Sequence, residues 1–403
     1  MTVRGDSGWA TSAQNLYLVA MAMFVVTIAI GILNGADLVA FDHNQVLTHV
    51  HSGTIGWITL GVVATAFVLF RVADARLGVA LGALVPVYVA AFYTGSLPAR
   101  AITGTLLLVA VLWLFAWLWR TYLAGDRTLP RLAMTLGLST FTYGAIVGVV
   151  LPIQFALGAS RLTGDSVGAH AAAMVFGYLV LVSMGLIEWR MRETAGLPRG
   201  GVVQLGALFV GGLVLSVGLL FGAGQAAGGI YLLTQLVAVI LFVVRVLPEA
   251  LRIPWAGASP ARHIGAAALW VLVAMGIFMY LIAAYIAANG DASKISTNIL
   301  VASDHSVFIG VMTNVALGLL GSFARIATRA RLVALVTFWG INLGLLAFVL
   351  GLIANSAEVK RVGAPTMGIF LLVSLAAHGW ALWTQRREAA DMMEVAPATG
   401  GAA

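Results

Sequence analysis

Long apolar runs alternate with short polar breaks twelve times along the chain. The runs fall at about 14–35, 48–70, 77–96, 101–119, 131–155, 168–189, 201–222, 228–247, 264–288, 304–324, 332–354 and 366–385. Each approaches the ~20 residues that an α-helix needs to cross a hydrocarbon core of ~30 Å. No run alternates with a period of two, so no strand is expected. The first run has no small-residue cleavage site and reads as a span, not as a signal peptide. A polar stretch, 37–45, separates it from the second. The pattern predicts an all-α polytopic membrane protein of twelve transmembrane helices. It forms a single transmembrane domain over 1–403, with 386–403 as a cytoplasmic tail.

Composition agrees. Of the 403 residues, 61% are apolar and 9% charged, against about 25% charged in a soluble domain. Mean hydropathy is +1.01. A water-soluble globule, a disordered chain and a coiled coil are all excluded. The net charge of +7 does not signal nucleic acid, because the basic residues sit singly in short breaks where they orient helices. With both termini inside, the inner breaks and ends hold 17 Lys and Arg residues and the outer breaks hold five: Arg100, Arg161, Lys294, Lys360 and Arg361. The positive-inside rule then places both termini in the cytoplasm, and a bacterial inner membrane is the expected location. Cysteine is absent, so disulfides, thiolate metal sites, iron–sulfur clusters and thioether-attached haem are excluded.

Histidine and glycine recur with the helices. The second helix opens with His49, His51 and Gly56, the sixth with His170 and Gly177, and the tenth with Asp304, His305 and Gly310. His49 precedes Gly56 by the same step as His170 precedes Gly177, and His51 precedes Gly56 as His305 precedes Gly310. This register predicts three four-helix units, at approximately 14–119, 131–247 and 264–385, about a pseudo-threefold axis. His49, His51, His170 and His305 then share one depth near the outer face. Neutral imidazole is a common ligand for haem iron and copper, and ionisable groups inside a membrane are costly. These four are the candidate cofactor and metal ligands. His49 and His51 lie about 200° apart around a helix, so the pair serves two sites, one on each side of the helix.

The stretch Thr48-His49-Val50-His51-Ser52-Gly53-Thr54-Ile55-Gly56-Trp57 closely resembles the H-V-H-S-G-A-L-G-W motif of C-type haem–copper oxidases. That family also has twelve helices in pseudo-threefold arrangement with ligands on helices 2, 6 and 10. The resemblance implies that His51 holds a low-spin haem, with His305 or His170 as its partner, and that His49 holds a second haem or metal. It is also compatible with divergent relatives such as the NnrS-like haem and copper membrane proteins. In the oxidases the double histidine lies on the tenth helix, whereas here it lies on the second. They also have a His-His pair after the seventh helix, whereas 221–229 contains none. Gln225 or a carboxylate would have to complete a copper shell, so copper is not favoured and the chain alone is not expected to be an efficient oxygen reductase.

The resemblance therefore implies one or two haems b and a role in electron transfer or in binding and reducing oxygen or nitric oxide. Separate electron-donating subunits would supply the electrons. Whether the chain is an oxidoreductase by itself stays open. A different class fits the composition equally: a membrane transporter, cofactor-free or trafficking metal or haem. The carboxylates argue against proton coupling, because only Glu188 lies clearly inside a helix. It is expected as an ion-paired or snorkelling helix end. Asp304 reads either as an acceptor that fixes the His305 tautomer or as the cap of the tenth helix. His43 and His263 are expected in solvated loops, and His378 packed against a neighbouring helix. Gln154, Gln204, Gln235, Asn314 and Asn342 are expected to bond between helices, and Trp113, Trp117 and Trp119 to form an interfacial belt.

Overall fold

The computed structural model describes residues 7–158, 164–192 and 196–395. Among them are twelve helices long and apolar enough to cross a membrane. They are α1 (Gly8–Gly35), α2 (His43–Phe70), α3 (Ala75–Tyr93), α4 (Leu97–Ala124), α5 (Leu129–Leu157) and α6 (Ser166–Arg192). They continue as α7 (Arg199–Leu220), α8 (Gly224–Arg245), α9 (Ala261–Ala287), α10 (Thr297–Phe323), α11 (Arg331–Ile353) and α12 (Ala357–Glu388). No strand occurs among the described residues. The chain is an all-α, multi-pass protein. Arg4, Arg161 and the end of the expected tail, 396–403, lie outside the described residues.

Several helices begin earlier than their apolar runs, because polar residues make good first turns. Asp42 caps α2, accepting from the Gln45 amide, while the Gln45 side chain accepts from the Asp42 amide. This reciprocal capping starts the helix at His43 rather than near 48. α10 starts at Thr297, seven residues before the apolar run. The last helix continues to Val395 and takes in much of the expected tail.

Consecutive helices pack side by side, and α12 closes on α1. Three helices occupy the middle. The apolar stretches of α2, α6 and α10 are 78%, 83% and 83% buried, against 33–56% in the other nine. The contacts repeat every four helices: α1, α5 and α9 each pack on both the second and the third helix of their own unit. α10 touches α2 and α6. Trp57 Nε1 donates to Thr313 Oγ1 across α2 and α10 at 3.0 Å, and the Tyr178 hydroxyl donates to Thr59 Oγ1 across α6 and α2.

Each central helix widens into a π-helical segment at one level: Ser52–Thr59 in α2, Ala173–Leu179 in α6 and Ser306–Thr313 in α10. Such segments are rare and often mark functional sites. Glycine makes the close approach to the first helix possible in each case. A Cβ at Gly56 would meet Met23, one at Gly177 would meet Thr140 and one at Gly310 would meet Trp270.

Several polar groups in the core are paired between helices. Glu188, fully buried, forms an ion pair with Arg245 of α8, which also donates to Gln204 of α7 at 3.0 Å. Asn314 and Asn342 bond to each other, with Trp270 donating to Asn342 and His263 donating to Asn314 at 2.7 Å. His263 is thus a core residue of α9, not a solvated one, because α9 begins at Ala261. His378 is buried, with its Nδ1 on the Ser374 carbonyl. Trp117 also belongs to the core, set edge-on against Phe67 and Phe70.

Removing Arg245 strands a buried carboxylate. Arg245→Met should lose about 3–5 kcal/mol of stability, and the double variant Glu188→Leu/Arg245→Met should recover most of it. Thermal unfolding of the purified proteins in detergent measures both, and a single variant as stable as the parent would show that the pair does not matter.

Candidate functional site

The four histidines of α2, α6 and α10 lie one to two turns beyond the central glycines, half-buried at the end of the bundle where α2 begins. Each imidazole gives its Nδ1 proton to a backbone carbonyl. His49 donates to Thr27 O on α1 at 2.8 Å, and His170 donates to Gly144 O on α5 at 2.9 Å. His51 donates to Leu47 O at 2.8 Å and His305 to Val301 O at 2.9 Å, each one turn back on its own helix. A carbonyl can only accept, so each neutral ring carries its proton on Nδ1. Nε2 is left as a lone pair, the form that ligates iron or copper.

The anchors follow the register. Thr27 lies four residues after Met23, and Gly144 four after Thr140. Four residues further on, Gly31 and Gly148 leave room for the imidazoles of His49 and His170. The pairing follows as well. His49 and His305 face across α2 and α10, with ring centres 6.4 Å apart and planes 24° apart. Two imidazoles that share one metal, at about 2.0–2.1 Å per bond, can have ring centres up to a little over ~6 Å apart. At that separation His49 and His305 would hold one metal between them. His51 instead lies within electrostatic range of His170, across α2 and α6. It is stacked on Phe92 at 3.8 Å and set edge-on to Tyr88. His305, one of the two expected partners of His51, thus faces His49 instead.

A third interface completes the pattern without histidine. Counting back from the central glycines, the places taken by His49 and His170 are filled in α10 by Ser303. The places of His51 and His305 are filled in α6 by Ala172. Where α1 and α5 have Gly31 and Gly148, α9 has Phe278. The Phe278 ring stacks on Phe176 at 3.4 Å and packs against Tyr231. Aromatic rings therefore occupy the volume that imidazoles take elsewhere.

Neither reading of Asp304 holds. Val301 O takes the Nδ1 proton of His305, and Asp304 lies in the last turn before the π-helical segment, far from the helix cap at Ser296. Asp304 is instead a further carboxylate within a span, at the end of the bundle opposite Glu188. Gln225 is exposed at the start of α8 and donates to Ile286 O. It has no part in the site. His43 is exposed as the first residue of α2. Among the described residues no three His, Asp or Glu side chains gather around one point. Sequence reasoning missed Arg100, which is 7% exposed and donates to Asn44 Oδ1 and Phe92 O. Its guanidinium lies over the Phe92 ring on which His51 is stacked. Its place among the outer loops by charge counting concealed it.

The fold and site define a multi-pass helical membrane protein with four half-buried histidines at one end. No protein-family model matches the chain, and no curated protein is significantly similar to it.

A methyl group at position 148 would lie 2.6 Å from Cε1 of His170. Gly→Ala inside a helix ordinarily stabilises by about 0.5–1 kcal/mol. Here Gly148→Ala should instead cost about 1–3 kcal/mol, because the ring must leave its carbonyl. The sign of the shift in thermal unfolding decides whether His170 occupies that space.

Proposed function

We propose that the chain is a haem-binding integral membrane protein that resembles the haem–copper oxidases in its central helices and acts in electron transfer. The observation that carries this reading is the His49–His305 pair: two Nε2 lone pairs, fixed tautomers and a ring separation suited to one shared metal. His51 and His170 form the second pair. Haem b is the cofactor that suits them, and when bound it supplies one-electron chemistry. This chain's residues hold the imidazoles in their ligating tautomer and shield them between helices. Two imidazoles from this chain would hold each haem, which would favour electron transfer over an open site for oxygen or nitric oxide. Copper is not favoured. Electron-donating subunits are the expected partners. The bacterial inner membrane, with both termini cytoplasmic, is the expected setting.

Protein purified after expression with ample haem should be coloured, with the spectrum of six-coordinate haem b. His49→Ala and His305→Ala should lose the same fraction of the haem, about half, and His51→Ala and His170→Ala the other. His43→Ala, an exposed position, should keep all of it. A colourless parent protein would refute haem binding and favour a cofactor-free transporter. Haem that exchanges freely with the medium would favour a trafficking role.

A further inference from the structure

At the end of the bundle opposite the histidines lies a charge that the rest of the molecule leaves unanswered. Arg262 is the second residue of α9 and is only 1% exposed. Its Nη2 donates to Ala334 O of α11 at 3.3 Å, and its guanidinium lies 4.4 Å from the centre of the Phe338 ring. Its Nε and Nη1 are buried with no acceptor. Among the described residues no carboxylate pairs with it, although the half-buried Arg245 and Arg329 and the exposed Arg252 and Arg361 all have acidic partners.

The surroundings add positive potential. Ala334 is the fourth residue of α11, so the guanidinium lies beside the first turns of two helices, α9 and α11. Both present the positive end of their dipole there. Neighbouring His263 commits its Nδ1 to Asn314 and brings no negative charge. A buried guanidinium with two unmade hydrogen bonds and no counter-ion is costly, and the removal of a partner from such a group is strongly destabilising.

We propose that Arg262 and the first turns of α9 and α11 bind a compact inorganic anion of the halide type, drawn from the water at this face. The anion supplies the missing acceptor for Nε–H and Nη1–H. A compact anion fits better than a lipid phosphate, because Arg262 is hidden and Trp255 lies against Phe338 over this end, ring centres 6.3 Å apart. The site is independent of the histidine pairs and does not rest on haem binding.

The test uses the full chain in detergent, unfolded thermally in sodium chloride or sodium gluconate at equal ionic strength. Chloride should raise the midpoint saturably, by about 3–5 °C. Arg262→Met should abolish the rise and be no less stable than the parent in gluconate, since the uncompensated charge is gone. Arg252→Gln, on the exposed loop, should keep the rise. Bromide titrated calorimetrically into the parent protein gives a second readout that does not depend on the variant folding. An unfolding midpoint indifferent to the anion would overturn the proposal. So would a rise retained in Arg262→Met, absent bromide uptake, or a response to phosphatidylglycerol without one to chloride.

Discussion

The architecture depends on three close approaches between helices. At Gly56, Gly177 and Gly310 a central helix comes so near the first helix of its unit that any side chain would collide with Met23, Thr140 or Trp270. In a membrane, lipid chains compete for apolar surface on equal terms, so helices associate through close packing and hydrogen bonds. Small residues at these points let α2, α6 and α10 gather at the centre. The nine remaining helices form the outer wall. Because the three contacts are at one level, whatever lies five or seven residues earlier is delivered to one level as well.

What is delivered differs from unit to unit. Two interfaces receive imidazoles and glycines, and the third receives Ser303, Ala172 and the ring of Phe278. Dense interiors do not tolerate holes. An interface without imidazoles must therefore be filled from its neighbours, and α9 and α6 fill it with stacked aromatics. The contrast makes each imidazole an occupant of a prepared space. The carbonyls of Thr27, Gly144, Leu47 and Val301 then choose the tautomer, since a buried donor needs an acceptor.

Charge is handled differently at the two ends. At the histidine end the imidazoles are neutral and backbone carbonyls satisfy them. At the other end Glu188 is compensated by Arg245, with Gln204 completing the guanidinium's bonds. Arg262 has no such complement and relies on Ala334 O and the face of Phe338 alone. In a low-dielectric interior that difference is large.

The number of spans, their helical nature and the grouping in fours were legible in the sequence, because hydropathy and spacing depend only on local composition. So was the shared depth of His49, His51, His170 and His305, and the division of His49 and His51 between two sides of a helix. Tertiary structure decided the partners. His49 faces His305 because the rotation of each central helix is set by its contacts, which no single segment encodes. The same holds for His263, which reads as a loop residue until the start of α9 places it in the core. It holds for Asp304, which lost its assigned roles once Val301 O held the His305 proton. The three π-helical segments were also hidden. A wider turn depends on which carbonyl each backbone amide reaches, and residue spacing carries no record of that choice.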